Sequence, residues 1–166
     1  AVVYGGGRAG PLGALAEGAL AAGGRVVGVI PKFMVDLEWG HDDLSELHVV
    51  EDMRTRKHEM LTRASAVVAL AGGTGTLEEL FEAMTLKRLG LFLGPIVLVN
   101  TAGFYDPLLA QLAAAIDGRF MDERHDRMWT VVAEPEEVLP AIESSPRWGA
   151  DSRDFFGIAQ GMDEGR

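Results

Sequence analysis

Along the chain, short apolar runs alternate with segments whose apolar positions recur at helical spacing. Residues 1–4, 25–30, 47–50, 66–70, 95–99 and 129–132 are the runs, and their brevity and closure by glycine, proline or polar residues suit strands of a parallel sheet. Between them, residues 10–22, 52–63, 76–89, 107–116 and 134–142 read as helices. The third carries Leu77, Leu80, Phe81, Met84 and Leu89 as its apolar positions and is closed by Gly90; the fourth carries Leu108, Leu109, Leu112 and Ile116. Residues 32–46 keep no period, and their Trp39-Gly40-His41-Asp42-Asp43 centre predicts a long loop. The order predicts an α/β fold with a mainly parallel sheet and helices on both faces. One domain over residues 1–143 and a polar tail over 144–166 are expected.

The stretch Ala71-Gly72-Gly73-Thr74-Gly75-Thr76-Leu77-Glu78-Glu79 joins the run at 66–70 to a helix expected to begin near Thr76. Glycines let the backbone turn sharply and bring its N–H groups close to a ligand, and a helix start adds unpaired donors and a positive dipole end. A phosphate fits such a place, with Glu79 near enough to act on a sugar or a water beside it. The bland alternative is a tight turn followed by a capping box from Thr76 to Glu79. Gly5-Gly6-Gly7 follows the first run in the same manner. In a Rossmann-like sheet both loops open at the carboxyl ends of strands, where ligands collect.

Composition narrows the partners. Twenty-five acidic against fifteen basic residues leave a net charge of −10, which argues against a nucleic acid or an anionic membrane surface as partner. There is no cysteine, so disulfides and thiolate metal sites are excluded and the cytoplasm is the default location. No apolar run approaches the roughly 20 residues of a membrane span. Positive charge gathers at Arg54, Arg56, Lys57 and Arg63, where a solvated helix face and a local anion site are both open readings. Trp39, His41 and His48 read as loop or packing residues, and the four histidines form no metal-ligand set.

Two of these stretches carry a resemblance. Gly72-Gly73-Thr74-Gly75-Thr76-Leu77-Glu78-Glu79 resembles the PGGxGTxxE signature, and Met53-Arg54-Thr55-Arg56-Lys57 the companion MxxRK segment, of the "Lonely guy" family of cytokinin-activating phosphoribohydrolases. Those proteins are often labelled lysine decarboxylase-like. The resemblance runs from Ala1 to about Ile142 and takes in Gly5-Gly6-Gly7 and Gly28-Val29-Ile30-Pro31-Lys32. Ala71 stands where the family usually has proline and Arg54 where many members have histidine, and the family's first βα unit is not matched ahead of Ala1.

The resemblance implies hydrolysis of a nucleoside 5′-monophosphate, usually an N6-substituted adenosine monophosphate, to free base and ribose 5-phosphate, without cofactor or metal. It implies Arg56 and Glu79 as the catalytic pair. It places Lys57, Glu38, Gly5, Gly6, Gly7, Gly73, Thr74, Gly75, Thr76, Leu77 and Glu78 around the nucleotide. A homodimer is also expected, packing helices 52–63 and 76–89 across a two-fold axis. The alternative is a nucleotide-binding module or carrier without hydrolysis. The decarboxylase label would need a Schiff-base lysine, for which only Lys32, Lys57 and Lys87 exist, with Lys57 alone near the motifs.

Overall fold

The computed structural model describes residues 1–37, 39–41 and 43–149. They divide into two compact units, Ala1–Ala64 and the chain from Ser65 onward. Each is built on a three-stranded parallel sheet, so the expected α/β class with parallel strands and intervening helices holds.

The first unit runs β1 (Val2–Tyr4), α1 (Gly10–Ala21), β2 (Val26–Pro31), α2 (Lys32–Asp36), β3 (Glu46–Val50) and α3 (Met53–Arg63). β2 is the central strand and is buried at every position, which is why it reads as an unbroken apolar run rather than an alternating one. Tyr4 pairs with Gly28, and Val29 with His48. On one face Ala16 of α1 packs against Tyr4 and Val26. Side chains alternate along a strand, so Glu46 and His48 point to the other face, where His48 meets Glu59 of α3. Helices thus cover both faces of this sheet. α3 opens at Asp52, whose carboxylate accepts the Thr55 N–H at 2.7 Å and is held below the usual carboxylate range by that bond.

α2 corrects the expectation of a structureless loop over residues 32–46. Its five residues hold an i,i+4 ion pair, Lys32 Nζ to Asp36 Oδ1 at 3.0 Å, but a helix of one and a half turns is too short to display a period.

The second unit runs β4 (Val67–Ala69), α4 (Thr74–Arg88), β5 (Ile96–Val99), α5 (Asp106–Asp117), β6 (Thr130–Val132) and α6 (Val138–Ser144), with 3₁₀ turns at Thr101–Gly103, Glu123–Met128 and Pro135–Glu137. β5 is central and wholly buried, and Ala141 of α6 closes over Val97, Val99 and Val132. The helix expected over 134–142 divides at Glu137, whose carboxylate accepts the N–H groups of Ala133 and Glu134 at 2.8 and 3.0 Å.

α4 buries Leu80, Ala83, Met84 and Lys87 and leaves Phe81 exposed. Phe81 therefore leaves the apolar stripe, and Lys87, 2% exposed, enters it. The Lys87 amine donates to the Gly94 carbonyl at 2.7 Å and lies 5.8 Å from the centre of the Trp148 ring. Trp148, in the stretch read as a tail, donates its indole N–H to the Lys87 carbonyl at 2.8 Å. Among the described residues no helix is long and apolar enough to cross a membrane.

Candidate active site

In the first unit the chain leaves β1 at Tyr4 and enters Gly5-Gly6-Gly7, and the register brings Gly5 to the level of Val29. Arg56 reaches this level from α3. Its Nε donates to the Val29 carbonyl at 3.1 Å, and its guanidinium lies so close over Gly5 that a Cβ there would overlap Nη2. Gly5 is thus a glycine because an arginine side chain occupies the space of its missing one. Arg56 is 8% exposed, whereas Arg54 is exposed and Lys57 half-buried. The solvated-face reading therefore holds for Arg54 and fails for Arg56, since an arginine is seldom buried without fixed partners. The loop is braced from residues 39–41: His41 N–H donates to the Gly6 carbonyl at 3.0 Å, and Arg8 N–H to the Trp39 carbonyl at 3.1 Å. Glu38 lies outside the described residues.

In the second unit α4 begins at Thr74, two residues earlier than expected, with Gly73 at its N-cap. Thr76 is then inside the first turn, so the capping box from Thr76 to Glu79 does not form, and the N-cap, being glycine, offers no side chain to cap the helix. The Thr76 side chain instead folds against Gly72, where a Cβ would overlap its Oγ1. The helical ladder starts with Leu77 N–H to the Gly73 carbonyl at 3.1 Å, which leaves the N–H groups of Thr74, Gly75 and Thr76 ahead of it. Gly73 and Gly75 face open space. Glu79 stands one turn after Gly75, and helical side chains lean toward the N-terminus. Glu79 therefore shares the helix face on which Gly75 leaves a bare position. Glu79 is half-buried and Glu78 exposed.

Tyr105 escaped the sequence reading. It is 1% exposed, its hydroxyl donates to the Leu70 carbonyl at 2.6 Å, and its own N–H donates to Asn100 Oδ1 at 2.6 Å. Leu70 leads into the glycine loop through Ala71, so Tyr105 pins the entry to that loop. The one available signal was an aromatic residue between a turn and a proline-opened helix, and it has no motif.

Lys87 and Lys32 do not suit Schiff-base chemistry. Burial pushes the Lys87 amine down to about 8, a useful direction for a nucleophile. Yet that amine is sealed from solvent at the far end of α4, about 20 Å along the helix from Thr74. Lys32 is exposed and paired with Asp36.

A family model described as "Possible lysine decarboxylase" matches residues 12–142. The chain is 45% identical over 145 residues to a cytokinin riboside 5′-monophosphate phosphoribohydrolase of Rhodococcoides fascians, covering 86% of this chain and 73% of that one. The chain belongs to the Lonely guy family. A probable phosphoribohydrolase of the same name from Oryza sativa subsp. japonica is 36% identical over 88% of this chain, and one from Arabidopsis thaliana 37% identical over 86%. The match spans 59% and 65% of those two plant proteins, a little under two thirds of their length. The two Lonely guy signatures fall on the start of α3, with Arg56, and on the start of α4, with Glu79.

Proposed function

We propose that the protein hydrolyses the N-glycosidic bond of an N6-substituted adenosine 5′-monophosphate, giving the free base and ribose 5-phosphate. The observation that carries this reading is the glycine-capped start of α4, with bare positions at Gly73 and Gly75 and Glu79 one turn behind on the same helix face. A protein that only binds a phosphate needs donors there, and a carboxylate would weaken its hold on an anion.

The roles follow from the chemistry. The leading N–H groups of α4 hold the phosphate. As the bond between C1′ and the base nitrogen breaks, its electron pair leaves with the base, which takes up a proton, and positive charge builds on the ribose. Glu79 stabilises that charge, then takes a proton from the water that adds to C1′. Arg56 supplies a permanent positive charge, locked in direction by Val29 and Gly5, for the negative charge of the phosphate or the departing base. Relatives that carry the phosphoribohydrolase name support this assignment. We assign a two-fold homodimer through α3 and α4, where Met53 and Phe81 expose apolar surface; a monomer by light scattering would overturn that part.

The experiment is to incubate the protein with adenosine monophosphate and its N6-isopentenyl derivative and to separate the products by chromatography. Free base and ribose 5-phosphate are expected, with the substituted nucleotide turned over faster. Glu79→Gln should bind the nucleotide by calorimetry and lose turnover at least ~100-fold, as removal of a transition-state electrostatic group does. Binding without any release of base from the wild type would establish the non-hydrolytic module instead.

A further inference from the structure

The turn that follows β5 takes no part in the proposed chemistry, yet it is built against the loop that leads into α4. Asn100, the first residue past β5, donates its N–H to the Val132 carbonyl at 2.7 Å, and the Thr101 hydroxyl donates to the Ala133 carbonyl at 3.1 Å. These bonds fasten the turn to the end of β6. The chain then passes through Ala102 and Gly103 with φ of 55° and 73°, the left-handed region in which an alanine is strained. The Asn100 side chain holds the reversal, accepting the Tyr105 N–H at 2.6 Å through Oδ1 and donating to Asp106 Oδ1 at 2.8 Å through Nδ2. Its effect is to aim Tyr105 across the sheet. The hydroxyl reaches past β5 to the end of β4 and donates to the Leu70 carbonyl at 2.6 Å, and the Phe104 ring packs edge-on against the Tyr105 ring, centroids 5.0 Å apart.

Ala71, Gly72 and Gly73 separate Leu70 from the first residue of α4. Two of the three are glycines, which have the most backbone freedom to lose. The first turn of α4 hangs on this loop, because the Gly73 carbonyl accepts the Leu77 N–H. Thr76, folded on Gly72, braces the exit, and the Tyr105 hydroxyl braces the entry. We propose that Tyr105 is a positioning residue for the phosphate of the substrate, fixing the loop so that the leading N–H groups of α4 are set before the substrate arrives. The inference rests on the assignment of that helix start to the phosphate. With the loop held at both ends its freedom is lost on folding; with the entry released, the same ordering falls on the bound complex and weakens it. Glu79 depends less on the loop, since the turn it occupies is anchored by the buried Leu80, Ala83 and Met84. Releasing the loop therefore costs affinity for the phosphate more than it costs the rate of bond breaking.

Tyr105→Phe keeps the ring and removes the bond to Leu70. With N6-isopentenyl adenosine monophosphate its KM should rise about tenfold and its kcat stay within about twofold, short of the ~100-fold cost of a 1 Å misplacement at the chemistry itself. Ile96→Val trims a buried side chain at the opposite end of β5. It controls for lost stability alone and should leave KM unchanged. A Tyr105→Phe KM equal to that of the wild type, or one matched by Ile96→Val, overturns the proposal. Asn100→Ala, which keeps the hydroxyl but frees the Tyr105 N–H, should raise KM in the same direction, and it decides the matter if Tyr105→Phe does not fold. Should the wild type release no base, hydrolysis falls and calorimetry with adenosine monophosphate takes over, the Kd of Tyr105→Phe being expected to rise by the same factor. An equal Kd then overturns the positioning role, and a wild type that binds no nucleotide overturns it together with the assignment of the phosphate to α4.

Discussion

Lys87 and Tyr4 are buried titratable side chains whose costs run in opposite directions with pH. Burial lowers the folded-state value of the Lys87 amine from 10.5 to about 8. Below about 8 the amine is charged in both folded and unfolded chains, and the full desolvation cost is present. Between about 8 and 10.5 the folded chain has lost a proton that the unfolded chain keeps, so stability rises with pH. Burial raises the Tyr4 hydroxyl to about 12 from 10.0, so between those values the folded chain holds a proton the unfolded chain has lost, and stability falls. These two groups together give a maximum near pH 10. Urea midpoints should increase from neutral pH toward pH 9.5 by the equivalent of about 2 kcal/mol from Lys87. Lys87→Met, which keeps the volume and cannot titrate, should remove the rise. A flat profile in the wild type would mean that the Gly94 carbonyl and the Trp148 ring already compensate the buried charge.

At the scale of the element, α4 serves two ends that can be separated. Gly75 sits in its first turn with open space where a Cβ would go, so the protein itself does not require glycine there. Gly75→Ala should stabilise the fold by up to about 0.5–1 kcal/mol through backbone entropy and helix propensity. If α4 holds the phosphate as proposed, the same methyl group would stand on the face assigned to that phosphate, so KM should rise at least several-fold. Thermal unfolding and steady-state kinetics on one preparation check both signs, and an unchanged KM would move the nucleotide away from this turn. Much of this element was legible in sequence: the glycines, the threonines and Glu79 announce a loop and a helix start, because backbone approach demands those residue types. Its true first residue was not, since Thr76 looked like a cap and only folding shows it turned against Gly72. Arg56 was legible through its motif, but not its burial, because nothing in a basic run tells which side chain is drawn in over Gly5. α2, Tyr105 and Lys87 were missed for a common reason: each is fixed by a partner distant in sequence or is too short to repeat a period.

For the molecule as a whole, charge is divided unevenly. Residues 1–64 carry seven lysines and arginines against nine acidic residues, and the chain from 65 onward eight against sixteen, so net charges of −2 and −8 make up the −10 of the chain. A nucleoside monophosphate near neutral pH carries about two negative charges. In the proposed function it is repelled at long range by the net charge, while the positive groups assigned to it, Arg56, Lys57 and the leading N–H groups of α4, act over a few ångströms. These two effects have different reaches. The Debye length shrinks from about 30 Å at 0.01 M salt to about 10 Å at 0.1 M, so added salt first screens the field of the distant carboxylates and only later the contacts a few ångströms from the phosphate. The proposed hydrolase should therefore show kcat/KM rising, by about twofold, over that range and falling at higher salt. A fall from the lowest salt onward would mean that the basic start of α3 already governs the approach beyond 10 Å, and that the acidic excess of the second unit lies too far from the path of the substrate to be felt.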